Sequence, residues 1–87
     1  MNFLNYKVVT RPGDSIRVYL TGNAANVRVM DDANFQKYRQ GLEHRYFGGY
    51  YMKSPVIIKP GIFGLLNVVV DLGGYPGTVN AVVQVLH

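Results

Sequence analysis

The stretch SIRVYLTGNAANVRVM, residues 15–30, contains two segments in which apolar and polar side chains alternate. In residues 15–21 the aliphatic side chains occupy every second position, and residues 25–30 repeat the pattern. Alternation with a period of two is typical of a strand that buries one face and exposes the other. We therefore expect two β-strands here, joined through the Gly22-Asn23 turn, and a chain built mainly of β-structure.

The pairing of these two strands is open at the level of sequence. A hairpin with a two-residue loop would place Arg17 directly opposite Arg28. Opposed like charges cost about 0.2–1 kcal/mol, unless a neighbouring aspartate or an anionic ligand lies between them. A four-residue loop would instead pair Arg28 with Tyr19, and in a sandwich the two strands can also belong to different sheets.

Two longer apolar segments, residues 65–72 and 79–86, end the chain. If they pair across the loop 73–78, one face of the pair is wholly apolar. The opposite face is polar except for Val69 and Val82. A shift of one residue would turn polar groups into the core, so we expect this register for the pair.

One helix is predicted between the strands. The aspartates at 31–32 suit a helix start, because a carboxylate accepts hydrogen bonds from the free amides of the first turn. Phe35, Tyr38 and Leu42 then form one apolar stripe, and Gly41 suits the helix end. We expect a short helix of about ten residues that depends on packing for its stability.

Residues 5–10 and 55–59 add further strands, which gives six or seven strands in all. An 87-residue chain has room for a single core, so we expect one domain, 1–87. The predicted fold class is mainly β, a small antiparallel β-sandwich or partly open barrel with one short α-helix in the middle.

Composition excludes several function classes. The chain has no cysteine, which removes disulfides, thiolate nucleophiles and the usual structural zinc sites. No apolar run approaches the roughly 18 residues of a membrane-spanning helix, and we expect a soluble cytoplasmic protein without membrane contact. The net charge of +4 is concentrated between residues 34 and 59, where Glu43 is the single carboxylate and the cations are Lys37, Arg39, Arg45, Lys53 and Lys59.

The segment EHRYFGGYYMK, residues 43–53, lies inside this basic region and combines cations, aromatic rings and two glycines. Arginine can grip a phosphate or carboxylate with two hydrogen bonds, tyrosine offers a flat face for stacking, and glycine lets backbone amides approach a ligand. We expect Arg28 and Arg45 to hold charge and Tyr46 to stack. The predicted ligand-binding residues are Arg28, Arg39, His44, Arg45, Tyr46, Gly48 and Gly49.

The same segment can serve the fold alone. In that interpretation Tyr46 and Tyr50 cover a small core, Arg45 pairs with a nearby carboxylate, and Gly48-Gly49 forms a hairpin turn or a bulge. The sequence leaves both interpretations open.

Catalysis is not expected. The serines and histidines number two each, Ser15, Ser54, His44 and His87, and no spacing among them indicates a nucleophile with its base. We therefore expect no catalytic residue, no metal site and no cofactor. Asp71, at a strand end before Gly73, is expected to accept a backbone hydrogen bond from that turn.

The run GNAANVRVMDDANFQKYRQGLEHRYFGG (22–49), followed by SPVIIKP (54–60) and VVVDLGGYPGTVNAVVQVL (68–86), resembles a bacterial family of small β-rich domains of unknown function. Such domains occur alone or attached to Toll/interleukin-1 receptor (TIR) domains. The resemblance implies a compact, cytoplasmic β domain with one helix and no catalytic motif. These 87 residues include no TIR domain, which weakens the expectation that this domain acts as the sensing module of such an enzyme.

The expected function is a non-enzymatic binding module for a small anionic or nucleotide-like ligand. The alternative is a protein-interaction or homo-oligomerisation module, motivated by Val69 and Val82 on an otherwise polar face and by exposed tyrosines. Nucleic acid ranks third as a partner, because nine basic residues make a modest electrostatic footprint.

Overall fold

The computed structural model describes residues 3–87 as two antiparallel sheets with one helix on the outer face of the larger sheet. The elements are β1 (Phe3–Thr10), β2 (Ser15–Gly22), β3 (Ala25–Met30), α1 (Asp32–Arg39), β4 (Phe47–Tyr51), β5 (Val56–Ile58), β6 (Gly64–Asp71) and β7 (Val79–Leu86). The predicted fold class, a small mainly-β sandwich, is confirmed. Within the described part of the chain, no helix is long and apolar enough to cross a membrane.

The large sheet has the strand order β1-β6-β3-β4 and the small sheet the order β5-β2-β7. Both hairpins considered in the sequence analysis are therefore absent among residues 3–87. β2 and β3 lie in different sheets, as do β6 and β7. An alternating pattern specifies that one face of a strand is buried, and that face can be covered across the sandwich as well as within one sheet.

The opposition of Arg17 and Arg28, which a two-residue loop would have required, does not occur for the same reason. Arg17 lies on the small sheet opposite Gln84, to which its guanidinium donates a hydrogen bond. Arg28 lies on the large sheet, between Gly48 of β4 and Val69 of β6. No like-charge contact between these strands has to be relieved by a ligand.

The core lies between the two sheets and is made of alternate apolar residues of the strands. Burial of such aliphatic side chains is the main stabilising contribution in a domain of this size. The buried members are Ile16, Val18, Ala25, Val27, Val29, Val56, Ile58, Leu66, Val68 and Val70.

A second apolar cluster forms where the helix covers the outer face of the large sheet. Val69 is completely buried there beneath Phe35 and Tyr38. The prediction that Val69 and Val82 share one face is wrong, because Val82 lies on the outer face of the small sheet and is 68% exposed. Residues 66–71 thus have both faces covered, one by the small sheet and one by α1.

The helix begins as predicted. The Asp31 carboxylate accepts from the backbone amide of Asn34 at 2.9 Å, and this bond helps to lower the pKa of Asp31. Asp32 accepts from the side-chain amide of the buried Asn67 at 2.6 Å. The first turn of α1 is therefore attached to β6 by a hydrogen bond as well as by apolar packing.

The end of the helix departs from prediction in one respect. Gly41 has a φ of 73° and follows the last helical residues, as expected of a helix end. Phe35 and Tyr38 are buried as predicted, but Leu42 is exposed because the chain has left the helix before it.

β4 is the strand that the sequence analysis did not assign, and it forms an edge of the large sheet. It lies within the basic aromatic segment, and its two glycines are inside the strand, where Gly48 pairs with Arg28 and Gly49 with Val27. Residues 47–51 of the segment are thus an edge strand, and residues 43–46 form the loop that precedes it.

Candidate binding site

A buried carboxylate organises the outer face of the large sheet beside the helix. Asp71 is 2% exposed and accepts four hydrogen bonds. One oxygen, Oδ1, accepts from Asn26 Nδ2 at 3.0 Å and from the backbone amide of Gly73 at 2.8 Å. The other, Oδ2, accepts from the Tyr38 hydroxyl at 2.7 Å and forms an ion pair with Arg28. The predicted bond to the turn after β6 is confirmed, and the other three contacts are additional.

The charge state of this group follows from its partners. Burial alone would raise the pKa of Asp71, but the hydrogen bonds from Tyr38, Asn26 and Gly73, together with the charge of Arg28, hold it below its usual value. Burial and the hydrogen bond to the carboxylate raise the pKa of the Tyr38 hydroxyl. Asp71 is thus an anion with a neutral phenol as its donor.

Aromatic rings extend from this carboxylate toward the basic segment. The Arg28 guanidinium lies 5.8 Å from the centre of the Tyr38 ring and 5.1 Å from that of Tyr46. The His44 ring packs edge-on against Tyr38 at 5.3 Å and tilted against Tyr46 at 5.5 Å. Arg28, Tyr38, His44 and Tyr46 form one contiguous group, here called the aromatic cluster, in which cation–π contacts orient the rings.

His44 has one ring nitrogen that the fold does not use. Its Nδ1 lies 3.0 Å from the carbonyl oxygen of Leu42, which can only accept, so Nδ1 carries the proton of that bond. Nε2 is buried and has no hydrogen-bond partner among residues 3–87. With the ring proton on Nδ1, Nε2 is an acceptor.

Next to the aromatic cluster is a hollow of about 480 Å³, here called the cationic hollow. Its lining comes from α1 and from the loop before β4, and consists of Asn34, Lys37, Glu43, His44 and Arg45. The side chain of Asn34 accepts from the backbone amide of Arg45 at 2.8 Å, which fixes the loop against the helix. In the described chain neither Lys37 nor Arg45 has an ion-pair partner within 4 Å.

Comparison with known proteins identifies the family. A family model for a domain of unknown function, DUF1883, matches residues 1–87. The chain belongs to the DUF1883 family. A search of curated proteins and a search of solved structures found no match. Family membership brings no activity with it, so the function of this DUF1883 domain has to be argued from its own residues.

The predicted binding residues of the DUF1883 domain fall into two neighbouring groups and one separate position. Arg28, His44 and Tyr46 meet in the aromatic cluster, and His44 continues into the cationic hollow with Arg45. Arg39 lies apart, with its guanidinium 5.8 Å from the Phe35 ring.

The two predicted glycines have unequal roles in the strand pairing. Gly48 approaches the Val27 carbonyl so closely that an added Cβ would lie 2.0 Å from its oxygen. Gly49 has open space at the equivalent position. Whether any of the seven predicted residues binds a ligand stays a prediction.

Sequence reasoning missed Asn34, Lys37 and the central role of Asp71. Lys37 belongs to the excess of positive charge in residues 34–59, and the sequence places it about one helical turn after Asn34. The contacts of Asp71 with Arg28 and Tyr38 join residues 43 and 33 positions apart, and no local pattern indicates them.

Proposed function

We propose that this DUF1883 domain is a non-enzymatic module that binds a small anionic or nucleotide-like ligand, with the ligand's negative charge in the cationic hollow. The observation that carries the proposal is that Lys37 and Arg45 share this hollow without an ion-pair partner in residues 3–87. A bacterial source, a cytoplasmic location and an association with TIR domains rest on the family resemblance and stay predictions.

The chemistry of the hollow suits one phosphate or carboxylate group. The Arg45 guanidinium can donate two parallel hydrogen bonds to such a group, and Lys37 adds a mobile ammonium. His44 lines the same hollow from the side of the aromatic cluster. Glu43 lines the same hollow and leaves an excess of one positive charge.

Arg28 takes a different role from the one expected of it. Its charge is already compensated by Asp71, so a second anion would gain less from it than from Arg45. We assign Arg28 to orienting the Tyr46 ring, against which the flat part of a nucleotide-like ligand would stack.

The test is thermal unfolding with inorganic phosphate, AMP, cyclic AMP and glucose 6-phosphate as separate probes. A ligand present at a hundredfold excess over its Kd stabilises the folded domain by about 2.7 kcal/mol. We expect at least one probe to raise the melting temperature of the wild-type protein, and Arg45→Ala to remove most of that increase.

Lys59→Ala is the matched control, because it removes one exposed positive charge after β5, away from the hollow. It should keep the full increase. The proposal fails if no probe raises the melting temperature, or if Arg45→Ala and Lys59→Ala respond alike. Binding of a short single-stranded oligonucleotide with a steep salt dependence would point to nucleic acid instead.

A second candidate function, protein interaction or homo-oligomerisation, is favoured by one surface. On the outer face of the small sheet Tyr19 lies opposite Val82, and Ile57 of β5 is also exposed. Exposed apolar and aromatic side chains on one face are typical of interfaces. We name Tyr19, Ile57 and Val82 the small-sheet patch.

If the small-sheet patch joins two copies of the domain, Val82→Lys should convert a concentration-dependent mass into that of a monomer, since burying the new ammonium is costly. Sedimentation equilibrium over a wide protein concentration range measures this. Asn80→Lys is the control, because residue 80 is also exposed on β7 and receives the same charge outside the patch. A wild-type mass that stays monomeric at every concentration would rule out self-association.

A further inference from the structure

A second hollow, of about 570 Å³, lies at the end of the sandwich where the β2–β3 turn, β4 and the β6–β7 loop meet. Its lining includes Asn23, Asn26, Tyr50 and Tyr75, and we call it the tyrosine groove. Its volume is within the range of small-molecule sites, about 300–1,000 Å³. None of its lining residues is charged, in contrast to the cationic hollow.

The tyrosines present unusually exposed rings. Tyr50 is 63% exposed on β4 and Tyr75 is 78% exposed in the β6–β7 loop. The loop that carries Tyr75 is held by a backbone hydrogen bond from Tyr75 to Leu72 at 3.2 Å. A Cβ added at Gly73 would lie within 4 Å of both the Tyr75 ring and the Asn26 amide, so both groups are close to this glycine. The rings are thus held at the groove but not buried in the fold.

The asparagines offer one donor and one acceptor of fixed orientation. Asn23 Oδ1 accepts from the backbone amide of Thr78 at 2.9 Å, which leaves its NH₂ group as the donor. Asn26 has the opposite orientation, since its Nδ2 donates to Asp71 and its carbonyl oxygen is the remaining acceptor. A ligand that both donates and accepts would find both partners already positioned.

Charge decides which class of ligand fits. The Asp71 carboxylate is ionised and accepts hydrogen bonds from two lining residues of the groove, Asn26 and Gly73. A phosphate would meet no cation among the lining residues, so nucleotides are disfavoured here. A neutral sugar carries hydroxyls that donate and accept, and the C–H face of its ring packs well on the electron-rich face of an aromatic ring.

We propose that the tyrosine groove binds a neutral pyranose sugar. The sugar ring contacts both Tyr50 and Tyr75 through its C–H groups, one hydroxyl donates to Asn26 Oδ1, and another oxygen accepts from the Asn23 NH₂ group. The site is separate from the cationic hollow and does not depend on the anion-binding function proposed above.

The experiment is ligand-observed NMR with a panel of neutral saccharides, namely glucose, galactose, mannose, N-acetylglucosamine, maltose and cellobiose, followed by titration of the labelled protein. We expect saturation transfer to at least one sugar and shifts of the Asn23 and Asn26 side-chain amide signals. Tyr75→Ala should weaken the affinity about tenfold, because one ring contact is lost. Tyr50→Ala is the second groove variant and should also weaken it.

Two controls separate the outcomes. Tyr19→Ala removes an exposed tyrosine from the opposite sheet and should leave the affinity within about twofold of wild type. Arg45→Ala should not change sugar binding, so failure here and failure of the anion proposal are distinguishable. The inference is overturned if no saccharide binds, or if Tyr75→Ala and Tyr19→Ala have equal effects.

Discussion

Gly48→Ala is expected to destabilise the domain by about 3 kcal/mol or more, whereas the neighbouring change Gly49→Ala should have little effect. At Gly48 φ is +141°, a conformation that side-chain-bearing residues rarely adopt. A Cβ there would also lie 2.0 Å from the carbonyl oxygen of Val27. That oxygen belongs to the backbone of β3, so it cannot move away without disturbing the pairing of β3 with β4. Backbone strain and overpacking each cost about 1–3 kcal/mol.

Gly49 is a close control because it is adjacent, lies on the same strand and is also paired with β3. Its φ is outside the positive range, and an added Cβ would meet no atom within 4 Å. The expected change for Gly49→Ala is less than about 1 kcal/mol. Urea unfolding followed by far-ultraviolet circular dichroism measures both. Equal losses in the two variants would contradict the close approach of β4 to β3.

Asp71→Asn is expected to cost about 3 kcal/mol at pH 7, because it leaves the Arg28 charge without its partner and turns an amide NH₂ toward groups that donate. The Asp71 carboxylate also connects the two proposed sites. Through Oδ1 it positions Asn26 and Gly73 at the tyrosine groove, and through Oδ2 it positions Arg28 and Tyr38 in the aromatic cluster. We therefore expect this substitution to disturb both proposed sites.

The pH dependence of that loss has a definite sign. The pKa of Asp71 is lower in the folded than in the unfolded protein, so its ionisation stabilises the fold above the unfolded pKa of about 3.9. This contribution disappears as the pH falls through the lower, folded pKa. The difference in unfolding free energy between wild type and Asp71→Asn should shrink from pH 7 toward strongly acid pH. A difference that does not depend on pH would mean that the loss comes from packing and not from charge.

Asp32→Asn is the control for this experiment. Asp32 accepts one hydrogen bond, from Asn67, and an asparagine at the same position keeps a carbonyl oxygen that can accept it. The helix loses a charge near its N-terminus, worth about 0.3–1 kcal/mol. A loss as large as that of Asp71→Asn would show that the ion pair with Arg28 is not the cause.

The two proposed sites differ in how far sequence reasoning reached them. His44 and Arg45 are neighbours in a basic segment, so their type and spacing indicated an anion site before the fold was known. The tyrosine groove could not be anticipated, because Asn26, Tyr50 and Tyr75 come from three separate parts of the chain. They meet only because β3 pairs with β4 and the β6–β7 loop crosses between the sheets.

By itself the sequence determined six of the seven strands, the inward faces of β2 and β3, the start of the helix at Asp31-Asp32, and that Asp71 accepts from the turn at Gly73. These features depend on alternation and on hydrogen bonds between residues a few positions apart, and both act locally. The tertiary structure alone decided which strands pair, that Val69 lies beneath the helix, and that Arg28 is neutralised by Asp71. The physical reason is that an apolar face gains the same burial against any apolar layer, so the choice among layers depends on how all the elements pack together.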